Sequence, residues 1–168
     1  MALLPILHFP DPRLRIIAQP VQQVGEKERQ IIANMLETMY DAHGIGLAAT
    51  QVNIHQQMIV IDVSIDKSQW LCLVNPKIIH SEGVSCFDEG CLSVPGVYES
   101  IERAERITVN ALNQEGESTT FVAEGILATC IQHEMDHLKG KLFVDYLSPL
   151  KRQRIRKRLG KQQDSQVD

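Results

Sequence analysis

Two histidines four residues apart, with a glutamate directly after the first, constrain this 168-residue chain more than any other feature. Residues 133–137 read HEMDH and fall inside a segment, residues 124–138, that is predicted to be a helix ended by Gly140. Residues i and i+4 project from one helix face, so His133 and His137 can reach one metal ion. Glu134 would then lie beside that ion, where it can take a proton from water. The alternative is a helix whose two histidines are satisfied by ordinary hydrogen bonds.

A catalytic metal needs a third protein ligand, and the sequence places it upstream of the histidine pair. After His137 the chain has no further His, Cys or Glu, Asp145 falls in an apolar stretch, and the other two aspartates lie in the tail. Upstream, Cys91 follows Gly90 and precedes Pro95, which predicts a constrained turn. Its thiolate would complete a Cys-His-His site with an open position for water. Taken alone, Cys91 could equally be a buried structural thiol.

A third segment, residues 44–51, reads GIGLAATQ. Its two glycines are not part of a phosphate-binding loop, because no Gly-Lys-Ser/Thr sequence follows and no βαβ unit surrounds it. Small residues here allow the backbone to approach a ligand closely, and Gln51 offers a neutral amide donor suited to a developing oxyanion. A plain small-residue turn after a helix explains the segment equally well.

Composition excludes several classes of protein. With 43% hydrophobic and 23% charged residues, the chain can bury the core of one ordinary domain. Aromatic residues make up only 5%, too few for a surface that stacks nucleobases. No apolar run approaches the ~18 residues of a membrane span, and the N-terminus lacks the pattern of a secretory signal. We therefore expect a soluble, cytoplasmic protein with no membrane contact and no sequence-specific nucleic acid binding.

The net charge of −4 hides an uneven distribution. Residues 1–150 carry 10 basic and 19 acidic side chains, whereas residues 151–168 carry 7 basic and 2 acidic ones. We expect residues 1–150 to form a single catalytic domain around the metal site, and residues 151–168 to be a basic C-terminal helix and tail. Such a run of Lys and Arg is usually a solvated helix face.

The order of predicted elements indicates an α+β fold, with small mixed or antiparallel β-sheets packed around a central HExxH helix and further helices at the N- and C-terminal ends. A turn over residues 113–116 joins the last two predicted strands into a hairpin, and residues 95–103 are predicted to be a loop. Strands are predicted at residues 58–63, 71–74, 106–112 and 119–123. Helices are predicted at residues 25–43, at residues 124–138 and from Ser148 onward.

Taken together, GIGLAATQ (44–51), EGCLSVP (89–95) and QHEMDHLKG (132–140) resemble the three motifs of the peptide deformylase family, in that family's order. The resemblance extends to residues 9–15 and 142–147, and the basic C-terminal helix is similar to that of the bacterial type. It implies a metal-dependent hydrolase that removes the N-formyl group from the formyl-methionine of nascent polypeptides and releases formate.

The resemblance also implies a role for individual residues. One divalent ion per chain, Fe(II) natively and zinc, nickel or cobalt as alternatives, would be held by Cys91, His133 and His137. Glu134 is the implied general acid and base, and Gln51 and the backbone N–H of Leu92 are the implied donors to the formyl oxygen. The substrate groove would include Gly46, Gly90 and Glu89, of which Glu89 would support the site. Its pairing with Arg103 is our own expectation and not part of the resemblance. Candidates for an apolar methionine pocket, for which plain core packing is the alternative, are Ile45, Ile126 and Cys130.

For the basic tail, the resemblance implies docking on the ribosome near the exit tunnel. Three alternatives stay open at this point. The first is an HExxH metallo-endopeptidase, against which the upstream cysteine argues. The second is a ribosome-associated module with a closed structural metal site, which requires a fourth ligand from Cys72, Cys86 or Cys130. The third is a family relative that has lost its activity.

Overall fold

A computed structural model describes residues 2–166 of the chain, with side chains from residue 2 to residue 161. Within these residues there are three α-helices, seven β-strands and short 3-10 helices between them. The helices are α1 (Glu26–Asp41), α2 (Gly125–Leu138) and α3 (Pro149–Gln166). The strands are β1 (Gly46–Ala48), β2 (Met58–Ile61), β3 (Leu71–Glu82), β4 (Ser85–Cys91), β5 (Val94–Arg103), β6 (Arg106–Leu112) and β7 (Ser118–Glu124).

The strands form two antiparallel sheets. Five of them pair in the order β1-β2-β3-β6-β7, and β4 pairs with β5 in the second sheet. Between β6 and β7 the chain turns where Asn113 N–H donates to Glu117 O at 2.9 Å. The predicted hairpin is therefore confirmed, and so is the α+β class with small antiparallel sheets around a central helix.

The prediction of a loop over residues 95–103 is wrong, because these residues belong to β5 and pair with β4. Pro95 lowers the strand propensity of the segment, but Val97 and Ile101 are buried in a core cluster that rewards the extended conformation. Cys91 is accordingly the last residue of a strand, followed by a two-residue turn, rather than part of the turn itself.

Helix α2 is the central helix of the fold and carries the HEMDH residues. Its apolar side chains Ala128, Ile131 and Leu138 are buried in a cluster with residues of the five-stranded sheet. The three polar side chains of the motif that were predicted to be functional are also buried: His133, Glu134 and His137. Burying three ionisable groups on one helix opposes folding unless they have partners, so their surroundings decide their role.

The chain on either side of this core packs back onto it. Before α1, Arg15 forms an ion pair with Asp145 at 2.7 Å and donates to Gly140 O at 3.0 Å, just beyond the end of α2. Beyond α2, Ile155 and Leu159 of α3 are buried in a further core cluster. None of the helices in residues 2–166 combines the length and the apolar character that crossing a membrane requires.

Candidate active site

Side chains from a strand end and a helix bring three metal-binding atoms together. Cys91 ends β4, and His133 and His137 lie one turn apart on α2. The Sγ of Cys91 and one ring nitrogen from each histidine lie within 4.8 Å of one another. The Nε2 of His137 lies 3.3 Å from Cys91 Sγ and 3.3 Å from His133 Nε2. In the described part of the chain, this is the one group of three such residues that could hold a metal ion.

The spacing of these atoms fits a divalent cation. A tetrahedral ion with bonds of about 2.0–2.1 Å to nitrogen and about 2.3 Å to sulfur separates its donor atoms by roughly 3.3–3.6 Å. Both measured separations lie at the lower end of that range. One thiolate and two imidazoles suit iron(II), cobalt, nickel and zinc. Three protein ligands leave a coordination position open, as in catalytic sites and unlike closed structural ones.

The other cysteines do not join this group among the residues described. Cys72 is buried in a core cluster on the far side of the sheet, and Cys86 is exposed on β4 with its Sγ 2.7 Å from Ser100 Oγ. Cys130 is buried, and burial raises the pKa of its thiol. Without a fourth protein ligand, a closed structural metal centre finds no support here.

A buried ion-pair network contacts His133 at Nδ1, the ring nitrogen that does not face the other metal-binding atoms. The Oε1 of Glu89 lies 2.8 Å from His133 Nδ1, so the other ring nitrogen, Nε2, faces the metal-binding atom of His137. Arg103 donates to both oxygens of Glu89 at 2.7 and 2.9 Å and to Asp136 Oδ2 at 2.7 Å, and Tyr146 Oη donates to that same oxygen at 2.7 Å. Burial would raise the pKa of Glu89, but the hydrogen bonds from Arg103 and His133 hold it below its usual range. The predicted pairing of Glu89 with Arg103 is present.

Glu134 lies beside the histidines with no strong partner of its own. Its Oε1 is 3.6 Å from His133 Nε2, and its Oε2 is buried with no hydrogen-bond partner among the described residues. Burial raises the pKa of Glu134 to about 7. The backbone of Gly46 approaches this group closely, because a Cβ there would lie 3.1 Å from Glu134 Cγ and 2.8 Å from Cys130 Sγ and would force one of these side chains to shift. A carboxyl group with a pKa near neutrality can both accept and return a proton.

The two histidines sit in different electrostatic surroundings. Burial and the neighbouring charge of His133 lower the pKa of His137, which favours the neutral imidazole that a metal ligand requires. Burial also opposes a charge on His133, but hydrogen bonds with Cys91 and Glu89 raise its pKa. The acceptors around His133 therefore fix the orientation of its ring.

Gln51 and Leu92 both lie at the Cys91 corner of the site, in different ways. Gln51 is nearly fully buried and stands behind Cys91, with its Nε2 3.5 Å from Cys91 Sγ and 3.0 Å from Ser93 Oγ. Leu92 lies in the turn between β4 and β5, and its side chain packs against Gly44, where a Cβ would lie 2.7 Å from Leu92 Cδ1. The structure therefore brings together the residues predicted to act as metal ligand, base or oxyanion donor: Cys91, His133, His137, Glu134, Gln51 and Leu92.

A cavity of about 610 Å³ lies in front of His133 and Glu134. Ile45 and Ile126 are 38% and 52% exposed and lie at its mouth, whereas Cys130 is buried in its wall. Its size is typical of a site that encloses a small ligand or the end of a peptide. All six residues predicted for the groove and pocket line it: Ile45, Gly46, Glu89, Gly90, Ile126 and Cys130.

The cavity lining also includes residues that were not predicted, among them Thr129, Phe87 and Tyr98. Thr129 lies one turn before His133 on α2, so the same helical spacing that selects Ile126 and Cys130 could have found it. Phe87 and Tyr98 belong to β4 and β5, and the ring of Tyr98 lies so close to Gly90 that a Cβ there would meet it at 2.5 Å. Their position depends on strand pairing, which no local pattern in the sequence indicates.

Comparison with known proteins agrees with this site. The family model described as Polypeptide deformylase matches residues 3–153. The chain is 60% identical over 162 residues to a peptide deformylase of Pseudoalteromonas translucida, covering 96% of this chain and 97% of that one, and 59% identical over 168 residues to one of Cellvibrio japonicus, covering 99% of each. Among solved structures, a peptide deformylase from Legionella pneumophila superposes with a TM-score of 0.92 at 48% identity and covers 98% of both chains.

A second solved structure, of an Ehrlichia chaffeensis peptide deformylase in complex with actinonin, superposes with a TM-score of 0.93 at 37% identity and covers 96% of this chain and 98% of that one. These likenesses extend over nearly the whole chain and include every element that builds the metal-binding group and the cavity. The chain belongs to the peptide deformylase family, the metal-dependent hydrolases that use a single divalent ion to remove the N-formyl group from nascent polypeptides.

Proposed function

We propose that this chain hydrolyses the formyl group of N-terminal formyl-methionine with Cys91, His133 and His137 as the ligands of one divalent ion and Glu134 as the general acid and base. The observation that carries the proposal is the convergence of the three donor atoms beside a buried carboxylate oxygen that has no partner. When bound, the ion supplies a positive charge that acidifies water and polarises the formyl oxygen.

Glu134 moves the proton in this reaction. Its Oε2 accepts a proton from the attacking water, whose oxygen forms a bond with the formyl carbon. As the carbon–nitrogen bond breaks, the same carboxyl group returns the proton to the leaving amine. The remaining hydroxyl proton passes from formic acid to the amine, so the products are formate and a peptide with a free, protonated N-terminal methionine, and Glu134 is again ionised. Oε2 has no hydrogen-bond partner among the described residues, so it is free to accept the proton and to return it.

Negative charge on the formyl oxygen is stabilised by donors at the Cys91 corner. We assign this role to the side-chain amide of Gln51 and to the backbone N–H of Leu92. Gln51 Nε2 lies 3.5 Å from Cys91 Sγ and Leu92 follows Cys91 in the chain, so both donors are next to the proposed ligand thiolate. Elsewhere a single donor of this kind contributes about 3–4 kcal/mol to transition-state stabilisation.

The methionine side chain would occupy the cavity next to α2, and the rest of the peptide would leave through its mouth. Cys130 and Ile126, one and two turns before His133 on α2, provide an apolar wall, and Gly46 of β1 adjoins it. Glu89 and Gly90 would form the opposite side of the groove. A peptide chain emerging past Ile45 meets the exposed rim rather than the packed core.

We infer Fe(II) as the native ion, with zinc, nickel or cobalt able to replace it. The donor set contains one soft thiolate and two imidazoles, which accept all four ions. The thiolate also makes the site sensitive to oxygen. The enzyme prepared with Fe(II) should therefore lose activity in air and keep it under nitrogen.

The function is tested by formate release from a short N-formyl-methionyl peptide, with the protein loaded anaerobically with Fe(II). We expect turnover by the unchanged protein and at least a 100-fold lower rate for Glu134→Gln, a change that keeps the shape of the side chain but removes the base. Metal content measured on both proteins is the control. One bound metal per chain without formate release by either protein would contradict the proposal, and cleavage of casein at internal bonds would favour the endopeptidase alternative.

We infer further that residues 1–150 form the catalytic domain. The basic C-terminal helix and tail, residues 151–168, would dock the enzyme on the ribosome near the exit tunnel, which implies a cytoplasmic location. The last two of these residues lie outside the part of the chain that the structure describes. Deleting the helix would also remove the buried Ile155 and Leu159, so reversing exposed charges is the cleaner change. Docking through phosphate contacts is strongly dependent on salt.

We expect the triple variant Arg154→Glu, Arg156→Glu, Lys157→Glu to abolish co-sedimentation with ribosomes at low salt and to leave peptide turnover unchanged. A matched control reverses three exposed lysines elsewhere: Lys27, Lys67 and Lys77. Equal co-sedimentation of the two variants would contradict docking through α3.

A further inference from the structure

Ser93 is fully buried in the turn that follows Cys91, and each of its polar groups has a partner. Its N–H donates to Cys91 Sγ at 3.4 Å, its carbonyl accepts from Phe9 N–H at 2.7 Å, and its hydroxyl accepts from Gln51 Nε2 at 3.0 Å. Two of these contacts involve residues of the candidate active site. Two of the three bonds fix the Ser93 backbone, so its hydroxyl is carried on a rigid support.

The side chain that Ser93 holds is the amide of Gln51. The other end of that amide is fixed as well, because Ala48 N–H donates to Gln51 Oε1 at 2.8 Å. This bond identifies which end of the amide carries the hydrogens, since a backbone N–H requires an acceptor. The NH₂ group must therefore face Ser93 and Cys91.

An amide NH₂ group has two hydrogens, and Ser93 takes one of them. The Gln51 Nε2 lies 3.0 Å from Ser93 Oγ and 3.5 Å from Cys91 Sγ, so the second hydrogen is directed to the Cys91 corner. A donor of fixed direction stabilises a developing charge better than one that must reorient during the reaction.

We propose that Ser93 is a positioning residue for the reaction, and that its hydroxyl holds the Gln51 amide with one N–H aimed at the corner where the formyl oxygen becomes charged. This rests on the proposed function, specifically on Gln51 as a donor to that oxygen. Ser93 acts through Gln51 and does not itself touch the substrate. Its backbone bond to Cys91 is independent of its side chain, so a change of side chain isolates the hydroxyl.

The test is a double-mutant cycle measured on the metal-loaded enzyme with a formyl-methionyl peptide. We expect Ser93→Ala to lower kcat about 10-fold or more, with KM changed less than about 3-fold, because a misdirected donor affects the transition state more than binding. In a Gln51→Ala background the same change should have no further effect, because the side chain that Ser93 positions is gone. Ser93→Thr, which keeps the hydroxyl, should restore most of kcat.

An equal loss of kcat from Ser93→Ala with and without Gln51 would overturn the proposal and assign the residue a packing role. The melting temperature and metal content of each variant are measured alongside, because the cycle compares folded, loaded enzymes. A second readout needs no turnover. NMR order parameters of the Gln51 side-chain amide in the zinc-loaded protein should fall from the rigid range near 0.85 to below about 0.6 in Ser93→Ala.

The NMR result separates this proposal from the proposed function. If the unchanged protein releases no formate, the proposed function fails, while a drop in the order parameter would still show that Ser93 holds Gln51. An unchanged order parameter would overturn the positioning role whatever the activity.

Discussion

Replacing Arg103 with methionine should destabilise the fold strongly. The Arg103 side chain is only 4% exposed, and its partners Glu89 and Asp136 are 5% and 15% exposed. It makes three short bonds to them, of 2.7, 2.9 and 2.7 Å. Methionine retains much of the apolar stem but leaves Glu89 ionised, buried and without its cation.

The expected cost follows from these contacts. Removing one partner of a buried ion pair typically costs about 3–5 kcal/mol, because the other charge stays buried without compensation. For a chain of this size each kcal/mol lowers Tm by about 2–4 °C, so Arg103→Met should lower Tm by roughly 6–20 °C. Equilibrium unfolding in urea measures the free energy directly, at a fixed free zinc concentration because a bound ion adds to the stability of the folded state.

The matched control is the double variant Glu89→Gln, Arg103→Met. The glutamine oxygen can still accept from His133 Nδ1, and the one carboxylate left without its cation is Asp136, which keeps the hydrogen bond from Tyr146 Oη. The double variant should therefore be more stable than Arg103→Met alone by about 1–3 kcal/mol. A cost below about 1 kcal/mol for Arg103→Met, or strictly additive effects in the double variant, would refute the reasoning.

The pH dependence of this difference has a definite sign. In the unchanged protein Arg103 and His133 hold the pKa of Glu89 below its usual value of 4.5, so the pair stabilises the fold above that pH and the contribution is lost as the pH falls. In Arg103→Met burial would instead raise the pKa of Glu89, and protonation would relieve the unpaired charge. The destabilisation should therefore begin to shrink above pH 4.5, at the raised pKa of Glu89 in the variant, and continue to shrink as the pH falls through the lowered pKa of the unchanged protein.

Three other changes test the packing around the site by urea unfolding. Asp145→Asn should cost about 1 kcal/mol of unfolding free energy at pH 7, because Arg15 donates to both Asp145 oxygens. Burial would raise the pKa of Asp145, but the bonds from Arg15 hold it below 3.8. The cost should therefore vanish as the pH falls below that value. Gly140→Ala should cost about 2–3 kcal/mol of unfolding free energy, because the φ of Gly140 is 75° and a Cβ would lie 2.5 Å from Arg15 O. Its control is Gly160→Ala in α3, where a Cβ meets open space and the change should be neutral or stabilising. Equal effects of the two changes would contradict this. Ile131→Ala should cost about 2–5 kcal/mol and Ile131→Val about 1 kcal/mol, and a similar cost for both would mean that Ile131 is not tightly packed.

Sequence reasoning succeeds for the parts of the site that depend on local geometry. Helix α2 has a clear apolar periodicity and ends before Gly140, and its 3.6-residue turn alone places His133 and His137 on one face. Cys91 was reached by eliminating downstream ligands and by the resemblance of its motif, although it ends a strand instead of lying in a turn. Helix and ligand choice thus needed no knowledge of the tertiary structure.

The sequence fails where pairing between distant segments decides the structure. Residues 95–103 contain Pro95, Gly96 and several charged residues, so their own propensities favour a loop. They become β5 because β4 pairs with them and Val97 and Ile101 enter the core. This pairing brings Tyr98 to the cavity, which explains why that residue could not be predicted.

The N-terminal segment shows how such long-range contacts serve the site. Its likeness to the family at residues 9–15 has no chemical explanation in the sequence, since none of these side chains is a ligand or a base. In the structure, Leu7 N–H donates to Gln51 O and Phe9 N–H donates to Ser93 O, each at 2.7 Å. One short extended segment therefore bridges the two loops that carry the proposed oxyanion donors and sets the distance between them. Residues with no chemistry of their own are then constrained by the geometry of the reaction, because a shift of about 1 Å in such a donor can cost two orders of magnitude in rate.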